Sequence, residues 1–350
     1  MQKIMKNLFQ KKNLMWSTTM ACRRFINLYI LVLFVGCSSP EELLQIHRGQ
    51  ALGTTYIVQY QGNALRYAQN QKTIDSLFEV INQSLSTYRP HSDISKINNG
   101  EENVVVDSHF KTVFHKATQV WQASDGFFDP TVGSLANAYG FGPQRPLAIL
   151  GASQRDSLLA LTGWDKINLT QDDRIEKKSK GIQMDFNAIA KGYMVDVIGS
   201  HLTQVGYVNF LIEIGGELLA SGSNPKTKQA WKVAIDDPQQ GIERTFKTVL
   251  PLKNEALATS GNYRKFRIDS LTGVKYVHSL NPHTGLPVQS KILSASVRAP
   301  NCMTADAYAT ALMVLPLEKG QALITQDPEL AAYWVLAQAS DTTVIQSNNW

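Results

Sequence analysis

Asp306 and Thr310 stand four residues apart in the segment Met303 to Leu315, MTADAYATALMVL. At that spacing a carboxylate and a hydroxyl share one helical face. Both are hard oxygen donors, suited to Mg²⁺ or Ca²⁺. The other side chains of the segment are small or apolar around the whole circumference, which predicts a buried helix. A buried carboxylate is costly unless something compensates it. The plainer alternative is that Thr304 or Asp306 caps the helix.

Three other stretches break local rules. Asp185 closes the apparent strand Gly181 to Met184 and opens a helical segment, Ala188 to Val205. Asp185 is a candidate N-cap, and Lys191 reads equally as a solvated side chain. Ala188, Ala190 and Gly192 leave little bulk on the first turns, so an anion could approach the helix N-terminus and Lys191 reach it. Gly215-Gly216 sits between Glu213 and Glu217 in an apolar run, marking either a bulge or a close approach to a ligand. His278 and His283 flank a rigid turn, Asn281 to Pro287. Histidine there suits acid–base chemistry near neutral pH, or a structural role.

The elements that must position these groups alternate irregularly. Helices are expected over Leu65 to Leu85 and Phe110 to Ser124, each with apolar residues at helical spacing. Strands are expected around Ile46 to Tyr60, Asn209 to Ala220, Trp231 to Ile235, Phe246 to Leu252 and Glu255 to Thr259. Further strands are expected over Lys275 to Leu280, Ile292 to Arg298 and Ala332 to Gln346. A hairpin is expected from Arg174 to Phe186, turning near Lys178 to Gly181. Mixed strands and helices without regular βαβ alternation give an α+β class. They also separate the chain from a two-lobed solute-binding lipoprotein.

The first 36 residues carry six Lys or Arg and no Asp or Glu, and an apolar run from Phe25 to Val35 follows the basic region. This is the pattern of an export signal, too short to span a bilayer. Phe34-Val35-Gly36-Cys37 resembles a bacterial lipobox, implying cleavage before Cys37 and its acylation. Residues 1–36 are therefore read as a lipoprotein signal peptide, 37–45 as a tether and 46–350 as the folded domain. Removing six positive charges from a net +5 leaves the mature chain at −1. The basic balance belongs to the leader, and no nucleic-acid footprint remains. Of the three cysteines only Cys302 is left for the domain, so no internal disulfide is expected.

Taken in order, several motifs resemble the ApbE-type flavin transferases, the FAD:protein FMN transferases. They are Gly53-Thr54-Thr55-Tyr56, Leu85 to Pro90 with Ser92 to Ser95, Gly126 to Gly133 and Asp185 to Gly192. Ile214 to Glu217, Ala258 to Gly261, His278 to Gly285, and Thr304 to Asp306 with Thr310 complete the series. The resemblance implies a T-fold-like α+β domain. It implies FAD contacts at Leu52, Tyr88, Phe128, Asp129, Pro130, Asp185, Lys191, His278 and Leu280. It implies Mg²⁺ held by the Ala188 carbonyl, Asp306 and Thr310. Ala309 offers only a backbone oxygen where some relatives carry an acid. The implied reaction moves FMN from FAD to a Thr or Ser hydroxyl of a target flavoprotein and releases AMP, with Lys191 and His278 as the catalytic side chains. Family precedent suggests targets such as subunits of membrane redox pumps, reached by a lipoprotein anchored at the membrane and facing the periplasm. Two rivals use the same residues: an Mg²⁺-dependent FAD pyrophosphatase and a non-catalytic FAD-binding lipoprotein.

Overall fold

Tyr56, Val58 and Tyr60 alternate with more exposed residues, and all three are buried. A period of two with one buried face is what a sheet strand requires. The structure, a computed structural model, describes residues 42–350 apart from 148–149, 242, 264–265, 269–274 and 340. The leader, Cys37 and the tether up to residue 41 lie outside the described residues. Among the described residues the main sheet has eight strands, which lie side by side in chain order. They are β1 (Glu42–Ala51), β2 (Thr54–Asn63), β3 (Phe210–Ile214), β4 (Glu217–Ser221), β5 (Glu255–Gly261), β6 (Ile292–Ala299), β7 (Ala331–Gln338) and β8 (Asp341–Gln346). From β2 to β8 each neighbouring pair is antiparallel.

The helices are α1 (Tyr67–Leu85), α2 (Asp93–Asn98), α3 (Ser108–Ala123), α4 (Gly133–Tyr139), α5 (Ala152–Leu159), α6 (Ala190–Gln204), α7 (Cys302–Val314) and α8 (Leu317–Thr325). One face of the sheet, with Ile212, Ile214, Ala256, Ala258 and Val297, packs on α1, α3, α6 and α7 in the principal core. The other face, with Leu211, Ala220, Leu257 and Tyr333, is covered by the hairpin Trp231–Asp236 and Phe246–Leu252. The arrangement is α+β, as expected. Elements differ in detail. β1 begins at Glu42, four residues before the strand expected at Ile46. The hairpin placed around Lys178 to Gly181 is instead Ile167–Leu169 paired with Ile175–Lys177. Its turn is closed by Thr170 and Arg174, where Thr170 N–H donates to the Arg174 carbonyl.

The two ends of the sheet differ. At one end lie the β1–β2 turn, with Leu52 and Gly53 at positive φ, and the β3–β4 turn, with Gly215 and Gly216 at positive φ. Gly215-Gly216 is thus a two-residue hairpin turn rather than a bulge. Such a turn needs φ > 0 at both central positions, which glycine supplies without steric cost. A Cβ on Gly215 would lie 2.8 Å from Thr54, so the two turns are in contact. At the opposite end lie Asn63 and the loop before β3, joined by Gln61 N–H donating to the Asn209 carbonyl at 2.9 Å.

A polar network ties β1 to α1. His47 is fully buried, with Nδ1 2.7 Å from Gln71 Oε1 and Nε2 3.0 Å from the Tyr60 hydroxyl. Burial holds its pKa below the ordinary 6.5, partly opposed by the Gln71 bond and the Asp75 charge. The unfolded chain therefore binds this proton more readily. The stability that His47 contributes is present above pH 6.5 and is lost as pH falls below it. Melting temperatures measured between pH 7.5 and 5 should fall, and His47→Gln should flatten that slope. An unchanged slope in the variant would mean that another group controls acid lability.

Candidate active site

Three elements meet at the glycine-turn end of the sheet: the start of α6, the β3–β4 turn and α7. The start of α7 is capped from outside the expected residues. Asn301 Oδ1 accepts from Thr304 N–H at 2.9 Å. Asp196 of α6 accepts from Cys302 N–H at 2.7 Å and from Met303 N–H at 2.8 Å. Neither Thr304 nor Asp306 is the cap, and Asp306 is left to the site. Asp196→Ala removes two acceptors from orphan helix donors. It should lower stability by about 1–2 kcal/mol in urea unfolding, and an unchanged midpoint would show that water replaces it at no cost.

Asp306 is 2% exposed. Its Oδ2 accepts from Gly192 N–H at 2.9 Å, and its Oδ1 lies 3.8 Å from Lys191 Nζ. Lys191 Nζ is also 2.6 Å from Oε1 of Glu217, itself 2% exposed. A Cβ on Gly192 would collide with the Cys302 carbonyl and fall 2.7 Å from Asp306 Cβ. Only glycine permits this approach of α6 to α7. Burial by itself would depress the Lys191 ammonium, but Asp306 and Glu217 outweigh it and hold its pKa above the ordinary lysine value. Burial pushes the Asp196 carboxyl up to about 6, against its two backbone hydrogen bonds and with the charge of Asp306 adding to the rise. One turn beyond Asp306, the Thr310 hydroxyl is 3.3 Å from Ser260 Oγ at the end of β5.

Two expected residues, Tyr88 and Asp185, line a cleft of about 250 Å³ together with Asn98, Asn137 and Gln183, to which motif reading gave no role. Tyr88 is half exposed, and its hydroxyl donates to the Phe141 carbonyl at 3.4 Å. The Phe141 ring stands edge-on to His278 at 6.4 Å, so Tyr88 and His278 share one wall. Asp185 is not the N-cap of α6. Its Oδ1 accepts from Asn187 N–H at 2.7 Å in a local turn, and the N-cap position, Ile189, provides no side-chain cap. The segment from Asp185 to Lys191 connects the cleft to the lysine–carboxylate cluster.

The loop Gly126 to Gly133 contributes mainly walls. Phe128 is buried, and the Pro130 carbonyl accepts from Asp185 N–H at 2.8 Å. Both oxygens of Asp129 are engaged locally: Oδ1 by the N–H and hydroxyl of Thr131, Oδ2 by Trp164 N–H at 3.0 Å. Burial raises the Asp129 pKa, and these hydrogen bonds oppose the rise. Leu280 is buried beside Leu135, Ala136 and Tyr139. Leu52 lies in the β1–β2 turn at the same end of the sheet as Gly215. His283 is drawn elsewhere, with Nε2 3.0 Å from the Asp125 carbonyl and its ring against Phe127.

A family model described as the ApbE family matches residues 52–334. The chain belongs to the ApbE family. It is 34% identical over 299 residues to the FAD:protein FMN transferase of Vibrio cholerae serotype O1, covering 84% of this chain and 87% of that protein. It is 34% identical to the Haemophilus influenzae protein of the same name over 310 residues, 86% and 88% of the two chains. The solved flavin transferase ApbE from Vibrio cholerae superposes with a TM-score of 0.79 at 30% identity, covering 88% of this chain and 98% of the other. The apo Pseudomonas stutzeri flavinyl transferase ApbE does so at 0.77 and 29%, covering 88% and 96%.

Within this family fold, two side chains take roles that motif reading did not give them: Glu217 is the near partner of Lys191, and Asp196 caps α7. Ser260, expected to line the cleft through its backbone, also meets Thr310 through its hydroxyl. Glu217 carried a signal, since a carboxylate inside an apolar strand next to Gly-Gly demands a cation. The side-chain oxygens at the cluster are the Asp306 and Glu217 carboxylates, with the Thr310 hydroxyl one turn along α7. Among the described residues no three His, Cys, Asp or Glu side chains group as a metal site. A cation here would depend on hydroxyl and carbonyl oxygens as well.

Proposed function

We propose that this chain transfers the FMN moiety of FAD to a Thr or Ser hydroxyl of a target flavoprotein, leaving a phosphodiester-linked FMN and releasing AMP. The observation that carries the proposal is the Lys191–Glu217–Asp306 cluster, two buried carboxylates around a partly exposed lysine, beside the uncapped start of α6. FAD is an anion, and its cleavage builds charge on the departing phosphate. Lys191, kept charged by two carboxylates, attracts the pyrophosphate and stabilises that charge. The α6 N-terminus adds backbone N–H groups and its dipole. Tyr88 offers a ring face on which a flavin or adenine can stack.

The cluster holds two carboxylates against one ammonium, a net negative charge built of hard oxygens, and this supports a divalent cation. Asp306, Thr310 and the Ala188 carbonyl would hold Mg²⁺, with Ala309 adding at most its carbonyl; when bound, Mg²⁺ neutralises pyrophosphate charge and orients the phosphorus. The target hydroxyl oxygen forms the new bond to the FMN-side phosphorus, the bond to the AMP oxygen breaks, and the hydroxyl proton passes to His278. A base in that role supports a rate gain of about 10²–10⁴. His278→Ala should slow single-turnover transfer by that range, and an unchanged rate would remove His278 from the role.

The reaction is tested with FAD, Mg²⁺ and a target domain bearing an acceptor Thr. Covalent flavin fluorescence on the target in a denaturing gel, abolished by chelator, is the expected result. AMP without labelling would make the chain a pyrophosphatase, and bound FAD with neither product a carrier. We also read Cys37 as the acylated residue of an exported lipoprotein facing the periplasm, with membrane redox pump subunits among its targets. Among the described residues no helix is long and apolar enough to cross a membrane.

A further inference from the structure

At the end of the sheet remote from the active site, three exposed aliphatic side chains gather at strand ends. Leu65, after β2, is 86% exposed, Val208, before β3, is 64% exposed, and Leu43, at the start of β1, is 49% exposed. Backbone contacts gather them. Gln45 Nε2 donates to the Gly62 carbonyl at 3.4 Å, placing the start of β1 beside the end of β2. Gln61 N–H donates to the Asn209 carbonyl, placing Val208 beside the same strand end. Asn209 Oδ1 accepts from Ser223 N–H at 2.8 Å, bringing in the loop that carries Lys226 and Lys228. Arg66, Lys226 and Lys228 are exposed, and none forms an ion pair with a described carboxylate. Exposed aliphatic tips ringed by unpaired cations are the chemistry of a surface that meets anionic headgroups.

The chain itself says what covers this end. Five residues lie between Cys37 and Leu43, a span of six residue steps. At full extension they reach at most about 20 Å. A lipid on Cys37 therefore holds the Leu43 end of the domain close to the bilayer. We propose that Leu43, Leu65 and Val208, with Arg66, Lys226 and Lys228, form a face that docks on the membrane carrying the lipid anchor. This rests on the reading of Cys37 as acylated. The orientation has a consequence for function. β2 spans ten residues from this face to the active-site turns. At 3.3 Å per residue, a β2 standing upright on that face holds the active-site turns about 30 Å from the bilayer. The site is then presented to target domains that project from the membrane.

The test uses the full chain, matured and reconstituted in vesicles with and without phosphatidylglycerol. An environment-sensitive fluorophore is attached at Leu65→Cys or Val208→Cys, with Thr284→Cys as the remote control. Cys302 is buried and stays unlabelled. Probes at Leu65 and Val208 should shift to the blue and be quenched by lipids carrying a quencher in the acyl chain, more so with phosphatidylglycerol. The control should not respond. Arg66→Glu with Lys226→Glu and Lys228→Glu should abolish the quenching while flotation with vesicles and transfer to a soluble target persist. Probes that stay in water on a chain that floats would overturn the docking face alone. Protection seen only when a target protein is added would overturn it in favour of protein docking. A chain that does not float removes the anchor, and the proposal with it.

Discussion

Asp306→Asn is expected to slow FMN transfer roughly a hundred- to a thousandfold at saturating FAD, the cost typical of losing one preorganised electrostatic group. The fold should survive. The asparagine carbonyl can still accept the Gly192 N–H that Asp306 Oδ2 accepts at 2.9 Å. What changes is the oxygen 3.8 Å from Lys191. It becomes an amide NH₂, a donor facing an ammonium, and the cluster of two carboxylates and one lysine becomes neutral. A divalent cation loses its anionic ligand, so the Mg²⁺ concentration for half-maximal rate should rise together with the fall in rate. Asp306→Glu should fare little better. Gly192 already leaves no room between α6 and α7, so an added methylene has to displace one of them. Single-turnover labelling across a Mg²⁺ titration, paired with a melting temperature, decides the matter. A wild-type rate with an unshifted Mg²⁺ midpoint would sink the assignment of Asp306 as a ligand.

How much of this was legible before the structure depended on the range of the interaction. The Asp306 and Thr310 pair was readable because helical periodicity is local and the surrounding residues left a carboxylate with no apolar excuse. The α+β class was readable from the absence of βαβ alternation. The sheet order was not, because pairings such as β2 with β3 join residues about 150 positions apart. The cap of α7 was not legible for a related reason. Asn301 lies just before the apolar run, and the second cap, Asp196, comes from another helix. Asp185 looked like an N-cap because its neighbours are helix-forming, yet its side chain closes its own local turn, a competition typical of Asp. Glu217 announced a need for a cation but not which one, and Lys191 became its partner only through the packing of α6 on β4.

Lys191→Met is expected to be the most damaging single change to the folded state. A methionine fills much of the stem's volume but leaves Glu217 and Asp306, each 2% exposed, without the ammonium between them. Removing one partner of a buried ion pair costs about 3–5 kcal/mol. One carboxyl should then take up a proton in the folded state, its pKa raised above the unfolded value by burial and by the neighbouring carboxylate. The sign follows: the variant is least impaired below the ordinary carboxylate pKa, and loses further stability as pH rises through the raised one. Adding Glu217→Gln should recover much of the lost stability, since one carboxylate beside neutral neighbours is far less costly than two. Transfer should not recover, because no lysine remains beside the start of α6 to meet the pyrophosphate. Urea unfolding at pH 5 and 8 with parallel single-turnover assays separates the two effects. If the double variant regained transfer along with stability, Lys191 would be a packing residue, and the charge that builds on the leaving phosphate would have to be met by some other group.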